Sequence, residues 1–433
     1  MVFWRIEFRG RSNRRREIGT AILLLQLMPR VPMPDTGMIA APSTSPVLTA
    51  RARALKPSLT LAISARARAL KASGRDICSL SAGEPDFDTP AFIRQAAAAA
   101  LEAGHTRYGP AAGEPALREA IATKLSRENG VPTCAEQVLV TNGGKQALYN
   151  LFQVLLEPGD ELLLPSPYWL SYPEMARLAG AAVALIPCSP AQGFRLDPAA
   201  LEAAITPASK LLVLNSPANP TGMVLGRSEL EAIAAVLRRH PHVAVVCDEI
   251  YEFLLARGHS HHSLAAVAPD LAQRVFIVSG FAKGWAMTGW RVGWLAGPRE
   301  VVAAASALQS QSTSNVCSFA QYGALAAVSG SRDCVRAMAA QFNERRTLLS
   351  DGLQAIPDIE LQPPQGAFYA FPDLSHYGLD SMTLCNRLLE EVGLAVVPGV
   401  AFGEDRCIRL SCAASPATIV DGLGRLRHFL SGL

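Results

Sequence analysis

The 433-residue chain is predicted to fold as an α/β protein. Its large domain is expected to hold a mostly parallel sheet sandwiched by helices, and a smaller α+β domain is expected to close the chain. Two observations support this prediction. Between residues 86 and 330, short runs of Val, Leu and Ile alternate with helical segments, a pattern typical of parallel strands buried on both faces. The length also suits two or three domains.

The strands of the large domain are predicted from six apolar runs. QVLVT at residues 137–141 precedes a Gly-Gly turn and the helical segment KQALYNLFQVLL. The other runs are DELLLP, AAVALIP, KLLVLNS, HVAVVCDE and RVFIVSG. After residue 330, a long helical segment, RDCVRAMAAQFNERRTLLSDGLQAI, leads to the strand-like segments GAFYAFPDL, LAVVPG and CIRLSC.

These patterns predict four regions. Residues 1–48 are Arg-rich and then Pro-rich, which indicates a disordered N-terminal extension; a start codon placed too far upstream and a targeting segment are the alternatives. Residues 49–85 are predicted to form an N-terminal arm and part of the small domain. The large α/β domain is predicted over 86–330, and the C-terminal small domain over 331–433.

Charge and cysteine usage exclude several classes of function. The net charge is +3, but residues 1–40 contain seven Arg and three acidic residues, so the rest of the chain carries −1. The body therefore lacks the basic excess typical of nucleic-acid binding. No apolar run reaches the ~18 residues of a membrane span. Nine scattered cysteines without CxxC or zinc-type spacing predict reduced thiols, no metal site and a cytoplasmic location.

Four polar residues follow apolar strands and are expected to meet at one edge of the sheet. Asp248 ends the run VAVVCDE, where a buried carboxylate needs a cation or a strong donor. Asn219 lies in the turn NSPANPTG. Lys283 follows RVFIVSG among aromatic residues, which should lower its pKa and favour a neutral amine able to attack a carbonyl. Arg291 follows eight residues later.

Ten motifs in order over residues 49–433 resemble the fold-type I pyridoxal-phosphate enzymes. The similarity is to class I aminotransferases, and within them to the bacterial aspartate aminotransferase and aspartate–prephenate aminotransferase subgroup. The motifs are SAGEPDFDTP, RYGPAAG, TNGGKQAL, SPYWLSYP, NSPANPTG, DEIYE, AKGWAMTGWRVGW, QGAFYAF, VPGVAFG and IRLSCA. The resemblance implies the fold-type I architecture and pyridoxal 5′-phosphate as the cofactor.

The resemblance also implies roles around the cofactor ring. Lys283 would form the Schiff base and shuttle the substrate proton, and Asp248 would pair with the pyridine nitrogen so that the ring can act as an electron sink. Tyr251 and Asn219 would bond the phenolic oxygen. Trp169 would stack on the ring face. Lys283, Asp248 and Tyr251 are thus the implied catalytic residues.

The cofactor phosphate is implied to lie at the GGKQ turn, where backbone N–H groups at a helix start suit an anion. By position in the family pattern, Gly144, Lys145 and Arg291 would hold the phosphate. Tyr108 would reach the same phosphate from the partner subunit. The resemblance therefore implies a homodimer with shared active sites.

Five residues are implied to contact the substrate. Arg409, in CIRLSC, would bind the α-carboxylate as a bidentate fork, which lysine cannot reproduce. The backbone of Gly83 would lie against the same carboxylate, where a Cβ would collide with it. Trp169 and Asn219 would line the site. Lys56 falls where members that use prephenate carry a lysine, although a solvated lysine is the alternative reading.

The resemblance implies transfer of the amino group between L-aspartate and 2-oxoglutarate by a ping-pong mechanism. Two alternatives stay open: a bifunctional aspartate/prephenate (arogenate-forming) aminotransferase, and another fold-type I enzyme such as a β-eliminating lyase. A regulator with an aminotransferase-like sensor domain would need an N-terminal DNA-binding domain, for which residues 1–48 are too short. The expected partners are small amino and oxo acids, with no nucleic acid and no membrane.

Overall fold

The computed structural model describes residues 48–49, 52–53, 55 and 59–433. The chain divides into two compact units, Met1–Arg53 and Ala54–Leu433. The predicted disordered extension lies outside the described residues, apart from Leu48, and Lys56 lies outside them as well. The division of the second unit into a large and a small domain stays a prediction.

A seven-stranded sheet forms the centre of the region predicted as the large domain. Its strands are β2 (Val138–Thr141), β3 (Glu161–Ser166), β4 (Ala182–Pro187), β5 (Ser209–Asn215), β6 (Ala244–Asp248), β7 (Val275–Gly280) and β8 (Gly293–Ala296). Their order across the sheet is β2-β8-β7-β6-β5-β3-β4. The five strands from β7 to β4 are parallel neighbours, whereas β8 is antiparallel to both β7 and β2. The predicted mostly parallel sheet is confirmed.

Helices cover both faces of this sheet. They are α2 (Ala91–Glu102), α3 (Pro115–Glu128), α4 (Gly144–Leu155), α5 (Ser171–Ala179), α6 (Pro198–Ala204), α7 (Arg227–Arg239), α8 (Leu264–Val267), α9 (Phe281–Gly284), α10 (Arg299–Ser312) and α11 (Ser318–Ser329). Successive strand residues point to opposite faces. In β5, Leu212 and Leu214 enter one apolar core, and Leu211 and Val213 enter the other. Because both faces of the strand are buried, nearly every residue of these sequence runs is apolar.

Short strands and long helices form the remaining part. Helix α1 (Leu59–Ala72) precedes β1 (Cys78–Ser79), which pairs in parallel with β10 (Leu394–Ala395). Strands β9 (Tyr369–Ala370), β11 (Val397–Pro398) and β12 (Ile408–Ser411) form an antiparallel sheet in the order β11-β12-β9. The helices are α12 (Asp333–Gln354), α13 (Ser381–Glu391) and α14 (Pro416–Leu430). The segments GAFYAFPDL, LAVVPG and CIRLSC therefore all contain the predicted strands.

Within the described residues, no helix combines the length and the apolar character needed to cross a membrane. The nine cysteines are free thiols, six of them buried.

A buried ion pair connects α3 with the turn that follows β6. The ammonium group of Lys124 forms a salt bridge with Glu252, and both side chains are almost fully buried. Lys124 Nζ also donates to Asn129 Oδ1 at 2.7 Å, and Asn129 Nδ2 donates to Glu252 Oε2 at 2.9 Å. Burial raises the pKa of Glu252, but the charges of Lys124 and His261 outweigh it and hold that pKa below its usual value.

Removing the cation of this pair should destabilise the protein strongly. Lys124→Met would leave the Glu252 carboxylate buried without its main counter-ion, and such a loss costs about 3–5 kcal/mol. Arg227→Met is the matched control, because the Arg227–Glu231 pair is exposed and its atoms are 3.7 Å apart, so its loss should cost no more than about 1 kcal/mol. Denaturant unfolding measures both variants. Equal destabilisation by the two substitutions would contradict the prediction.

Candidate active site

Ten of the sequence-predicted site residues line one cavity of about 840 Å³, a size typical of small-molecule sites. It lies where β5, β6 and β7 end and where α4 begins, and α1, β1 and β12 contribute its other walls. The ten residues are Gly83, Gly144, Lys145, Trp169, Asn219, Asp248, Tyr251, Lys283, Arg291 and Arg409. The carboxyl ends of parallel strands meet at one edge of a sheet, which is why residues distant in sequence converge here.

Asp248 is a buried carboxylate at the end of β6. Its Oδ2 accepts a hydrogen bond from Tyr172 Oη at 2.7 Å, and its Oδ1 accepts one from the backbone N–H of Ile250 at 3.3 Å. Burial raises the pKa of Asp248 to about 6, and these two hydrogen bonds oppose the rise. A protonated nitrogen placed against this carboxylate would relieve its desolvation.

Lys283 lies on the one-turn helix α9, directly after β7. Its Nζ donates to the carbonyl oxygen of Gly83 and lies 5.8 Å from the ring centroid of Tyr251 and 5.6 Å from that of Phe368. Burial lowers the pKa of Lys283 to about 8, against the opposing charge of Glu84. A substantial fraction of this amine is therefore neutral, and nucleophilic, near physiological pH.

Positive groups surround the N-terminus of α4. Arg291 has a left-handed backbone (φ 55°), which is uncommon for a residue other than glycine. Its Nη1 donates to Thr288 O at 2.9 Å and its Nη2 to Asn142 O at 3.3 Å. A Cβ at Gly143 would lie 2.6 Å from Arg291 Nη2, so glycine there lets the guanidinium reach the helix start. A helix N-terminus beside a guanidinium suits a phosphate group.

Lys145 and Trp169 lie at the same end of the cavity. Lys145 Nζ is 5.0 Å from the Trp169 ring centroid, and partial burial together with the Arg291 charge lowers the pKa of Lys145. Trp169 packs edge-on against Tyr172 with the ring centroids 5.2 Å apart. This packing fixes an aromatic wall beside the candidate anion site.

Arg409 is a buried cation that pairs with no carboxylate among the residues that the structure describes. Only 3% of its surface is exposed. Its Nη1 donates to Asn219 Oδ1 at 3.0 Å, its Nη2 donates to Ser81 O at 3.2 Å, and its Nε makes no hydrogen bond. Both acceptors are neutral, and burial lowers the pKa of Arg409. An anionic ligand would offset the desolvation of this charge.

Tyr251 and Gly83 complete the candidate site. Tyr251 is buried, and its hydroxyl lies 3.0 Å from that of Tyr369. Gly83 is exposed to the cavity, and a Cβ there would meet only Tyr369 Oη, at 3.7 Å. The protein itself thus leaves room for a side chain at position 83.

The two remaining predicted site residues are Tyr108 and Lys56. Tyr108 does not line the cavity, and its side chain is 92% exposed. Lys56 lies outside the described residues. The structure of one chain therefore does not bring Tyr108 to the site.

Several polar residues of the site were missed by sequence reasoning. Tyr172 bonds Asp248, Tyr369 bonds Tyr251, and Thr288 Oγ1 donates to Glu84 Oε2 at 2.7 Å at the mouth of the cavity. Tyr172 lies in SPYWLSYP and Tyr369 in QGAFYAF, motifs that were recognised without a role for their tyrosines. Their hydrogen bonds depend on tertiary contacts that no local pattern encodes.

The arrangement fits the cofactor that the resemblance implies. Asp248 is placed to hold a protonated ring nitrogen, the start of α4 with Arg291 is placed to hold a phosphate, and Lys283 provides an amine for a carbonyl carbon. Each of these groups is only partly satisfied by the protein's own contacts.

The edge of a mostly parallel sheet thus brings together a lysine, a carboxylate and an arginine that has no carboxylate partner among the described residues, an arrangement suited to an enzyme that acts on small anionic molecules. The sequence matches the family described as aminotransferase class I and II over residues 75–426. The chain therefore belongs to this family, and the predicted family and fold are confirmed.

Named relatives agree with this assignment. The bifunctional aspartate aminotransferase and glutamate/aspartate-prephenate aminotransferase of Petunia hybrida is 44% identical over 396 residues, covering 88% of this chain and 82% of that protein. The aspartate/prephenate aminotransferase of Thermus thermophilus is 45% identical over 386 residues, covering 88% and 98%. The solved structure of aspartate aminotransferase from Thermus thermophilus with maleate superposes with a TM-score of 0.84 at 44% identity, covering 88% and 99%.

The lowered pKa of Lys283 should be visible as pH-dependent reactivity. In protein prepared without cofactor, acylation of Lys283 should rise with pH and reach half its maximum near pH 8, because only the neutral amine reacts. Peptide mass spectrometry of partly labelled protein across pH 6–11 measures this profile. A midpoint near about 10.4, the value of an ordinary lysine, would contradict the prediction.

Proposed function

We propose that the protein is a pyridoxal-phosphate-dependent aminotransferase that moves the amino group between L-aspartate and 2-oxoglutarate. The observation that carries the proposal is the pairing of two groups in one cavity. Lys283 offers a partly neutral amine, and Arg409 offers a buried guanidinium that lacks a carboxylate partner among the described residues. An α-amino acid carries the carboxylate that Arg409 lacks. The names of the Thermus and Petunia relatives support aspartate as the donor.

Residues of this chain would hold the cofactor at two ends, its ring nitrogen and its phosphate. Asp248 would accept the ring N–H, supported from behind by Tyr172. Gly144 at the start of α4, together with Lys145 and Arg291, would bind the phosphate.

The ring itself would lie between further groups. Trp169 would pack against its face, and Asn219 and Tyr251 would donate to its phenolic oxygen. When bound, the cofactor supplies an electron sink for bonds at the substrate α-carbon.

Three side chains would orient the substrate and transfer its α-proton. Arg409 and Asn219 would orient the substrate through its α-carboxylate, which places the α-proton relative to Lys283 Nζ. Lys283 Nζ would take that proton and deliver it to the cofactor carbon that receives the amino group. A pKa of about 8 suits this exchange, since a catalytic base is most effective when its pKa is near the working pH.

A homodimer with shared active sites is part of the proposal. Tyr108 is exposed in the single chain, and Phe92 and Leu101 are also exposed apolar side chains. Such residues would be covered by a second copy, whose Tyr108 would reach the phosphate site. A cytoplasmic location is proposed as well, and it is supported by the nine free thiols.

Mixing the holoenzyme with L-aspartate alone tests the activity. The yellow colour of the cofactor should fade, stay faded, and return only when 2-oxoglutarate is added, because the amino group remains on the enzyme between half-reactions. Lys283→Ala should slow this change by roughly 10²–10⁴-fold, the usual contribution of a positioned base. Rapid-mixing absorbance spectroscopy measures both.

Other outcomes of this experiment distinguish the alternatives. Colour that recovers without an oxo acid while product accumulates would overturn transamination and indicate a lyase. Prephenate that restores the colour as fast as 2-oxoglutarate would identify the bifunctional enzyme, and Lys56→Ala would then test whether Lys56 contributes. No spectral change with aspartate would contradict the proposed donor.

A site shared between two subunits predicts that the protein is a dimer and that substitution of Tyr108 weakens cofactor binding. Sedimentation should give twice the chain mass of 46.1 kDa. Tyr108→Phe removes one hydrogen bond to a charged group, so cofactor affinity should fall by roughly 10-fold or more. Tyr149→Phe, on α4 but outside the cavity lining, is the control. A fully active monomer would contradict the proposal.

A further inference from the structure

Tyr369 lies between two proposed functional residues although no role was assigned to it. It is buried on β9, where it is the register partner of Ser411 on β12. Arg409 precedes Ser411 by two residues on the same strand, so its side chain projects from the same face of the sheet as that of Ser411. The antiparallel pairing thus brings Tyr369 and Arg409 together as diagonal neighbours.

The ring of Tyr369 supports the guanidinium of Arg409. Arg409 Cζ lies 4.3 Å from the Tyr369 ring centroid and 5.0 Å from that of Phe402. A ring face attracts a cation, and the attraction grows when the cation is desolvated, as Arg409 is. Arg409 has five N–H donors, and its hydrogen bonds to Asn219 and Ser81 use two of them, so others stay available for a carboxylate.

The hydroxyl of Tyr369 contacts the second functional residue. It lies 3.0 Å from the hydroxyl of Tyr251, the hydrogen-bond partner that the structure gives Tyr251. A hydroxyl has a single proton to donate. If Tyr251 donates that proton to the phenolic oxygen of the cofactor, then Tyr369 must be the donor in the pair.

We propose that Tyr369 is a positioning residue with two separable contributions. Its ring holds Arg409 in place for the substrate carboxylate, and its hydroxyl holds and polarises Tyr251 toward the cofactor. The proposal rests on the proposed function and deepens it. The ring of Tyr369 would affect the affinity for the substrate carboxylate, and its hydroxyl would affect the pH at which Lys283 Nζ loses its proton.

The hydroxyl of Tyr369 is expected to lower the pH at which Lys283 Nζ loses its proton. A hydrogen bond donated to Tyr251 makes the Tyr251 O–H a stronger donor, since hydrogen bonds in a chain reinforce one another. With the cofactor bound, Tyr251 would then withdraw more negative charge from its phenolic oxygen, and a proton held at Lys283 Nζ would be bound less tightly. The hydroxyl of Tyr369 therefore lowers the pH at which this proton is lost.

Tyr369→Phe tests the hydroxyl while keeping the ring. In the holoenzyme without substrate, the pH midpoint of the cofactor absorbance change should rise by about half a pH unit, as expected for loss of one neutral hydrogen bond. The dissociation constant of succinate, an unreactive dicarboxylate, should stay within about twofold of the unsubstituted enzyme, because the cation–π contact with Arg409 remains.

Tyr377→Phe is the matched control for this variant. Tyr377 also donates a hydrogen bond from its hydroxyl, to Pro357 O at 2.6 Å, and it does not line the active-site cavity. The pH midpoint of the cofactor absorbance change in Tyr377→Phe should match that of the unsubstituted enzyme. If Tyr369→Phe gives the same midpoint as Tyr377→Phe, the hydroxyl contribution is overturned.

Tyr369→Leu tests the ring. The dissociation constant of succinate should rise about tenfold, the size expected for loss of a desolvated cation–π contact, and KM for aspartate should rise more than kcat falls. Unchanged succinate binding would overturn the ring contribution. Failure of the proposed function is distinguishable, because the unsubstituted holoenzyme would then show no colour change with aspartate, whatever the variants do.

Discussion

The candidate active site depends on buried charges that form no salt bridge with the part of the chain that the structure describes. Asp248 is held by a tyrosine and a backbone N–H, and Arg409 is held by an amide oxygen and a carbonyl oxygen. Burial shifts the pKa of each of these groups toward its neutral form. Ligands that bring a ring cation to Asp248 and a carboxylate to Arg409 would offset the cost of burying both. The relief of this desolvation cost would then contribute to the free energy of ligand binding.

The sheet topology makes this arrangement possible. Parallel strands deliver Asp248 and the segment containing Asn219 to one edge, and the helix after β7 places Lys283 beside them. The antiparallel strand β8 returns along β7, so its first residue, Gly293, comes close to the start of α4: a Cβ there would lie 2.5 Å from Gly144 N. Glycine at 293 thus lets β8 approach the N-terminus of α4. Arg291 also reaches this point, through its hydrogen bond to Asn142 O.

The sequence was informative wherever a local pattern carried the structure. Apolar runs predicted the parallel strands, and a polar residue after a run predicted its place at the sheet edge. Strand β8 was missed because its four residues, GWLA, begin with glycine and include no β-branched residue, whereas β2, with the same length, reads VLVT. Tyr172 and Tyr369 were missed because their roles arise from contacts across 76 and 118 residues of chain. Tyr108 differs again, since one chain cannot show what a second copy would cover.

The same molecule contains a buried carboxylate outside the cavity, Glu252, whose charge is satisfied within the chain. Glu252 lies only four residues after Asp248, yet it receives a lysine ammonium, an asparagine amide and, at 3.3 Å, the Ser279 hydroxyl. Its pKa falls below the usual value, whereas that of Asp248 rises. Neighbouring carboxylates in one turn therefore have opposite electrostatics: one is satisfied within the chain, and the other is left for a ligand. Of these two buried carboxylates, the one that the protein's own contacts satisfy less completely is the one that lines the cavity.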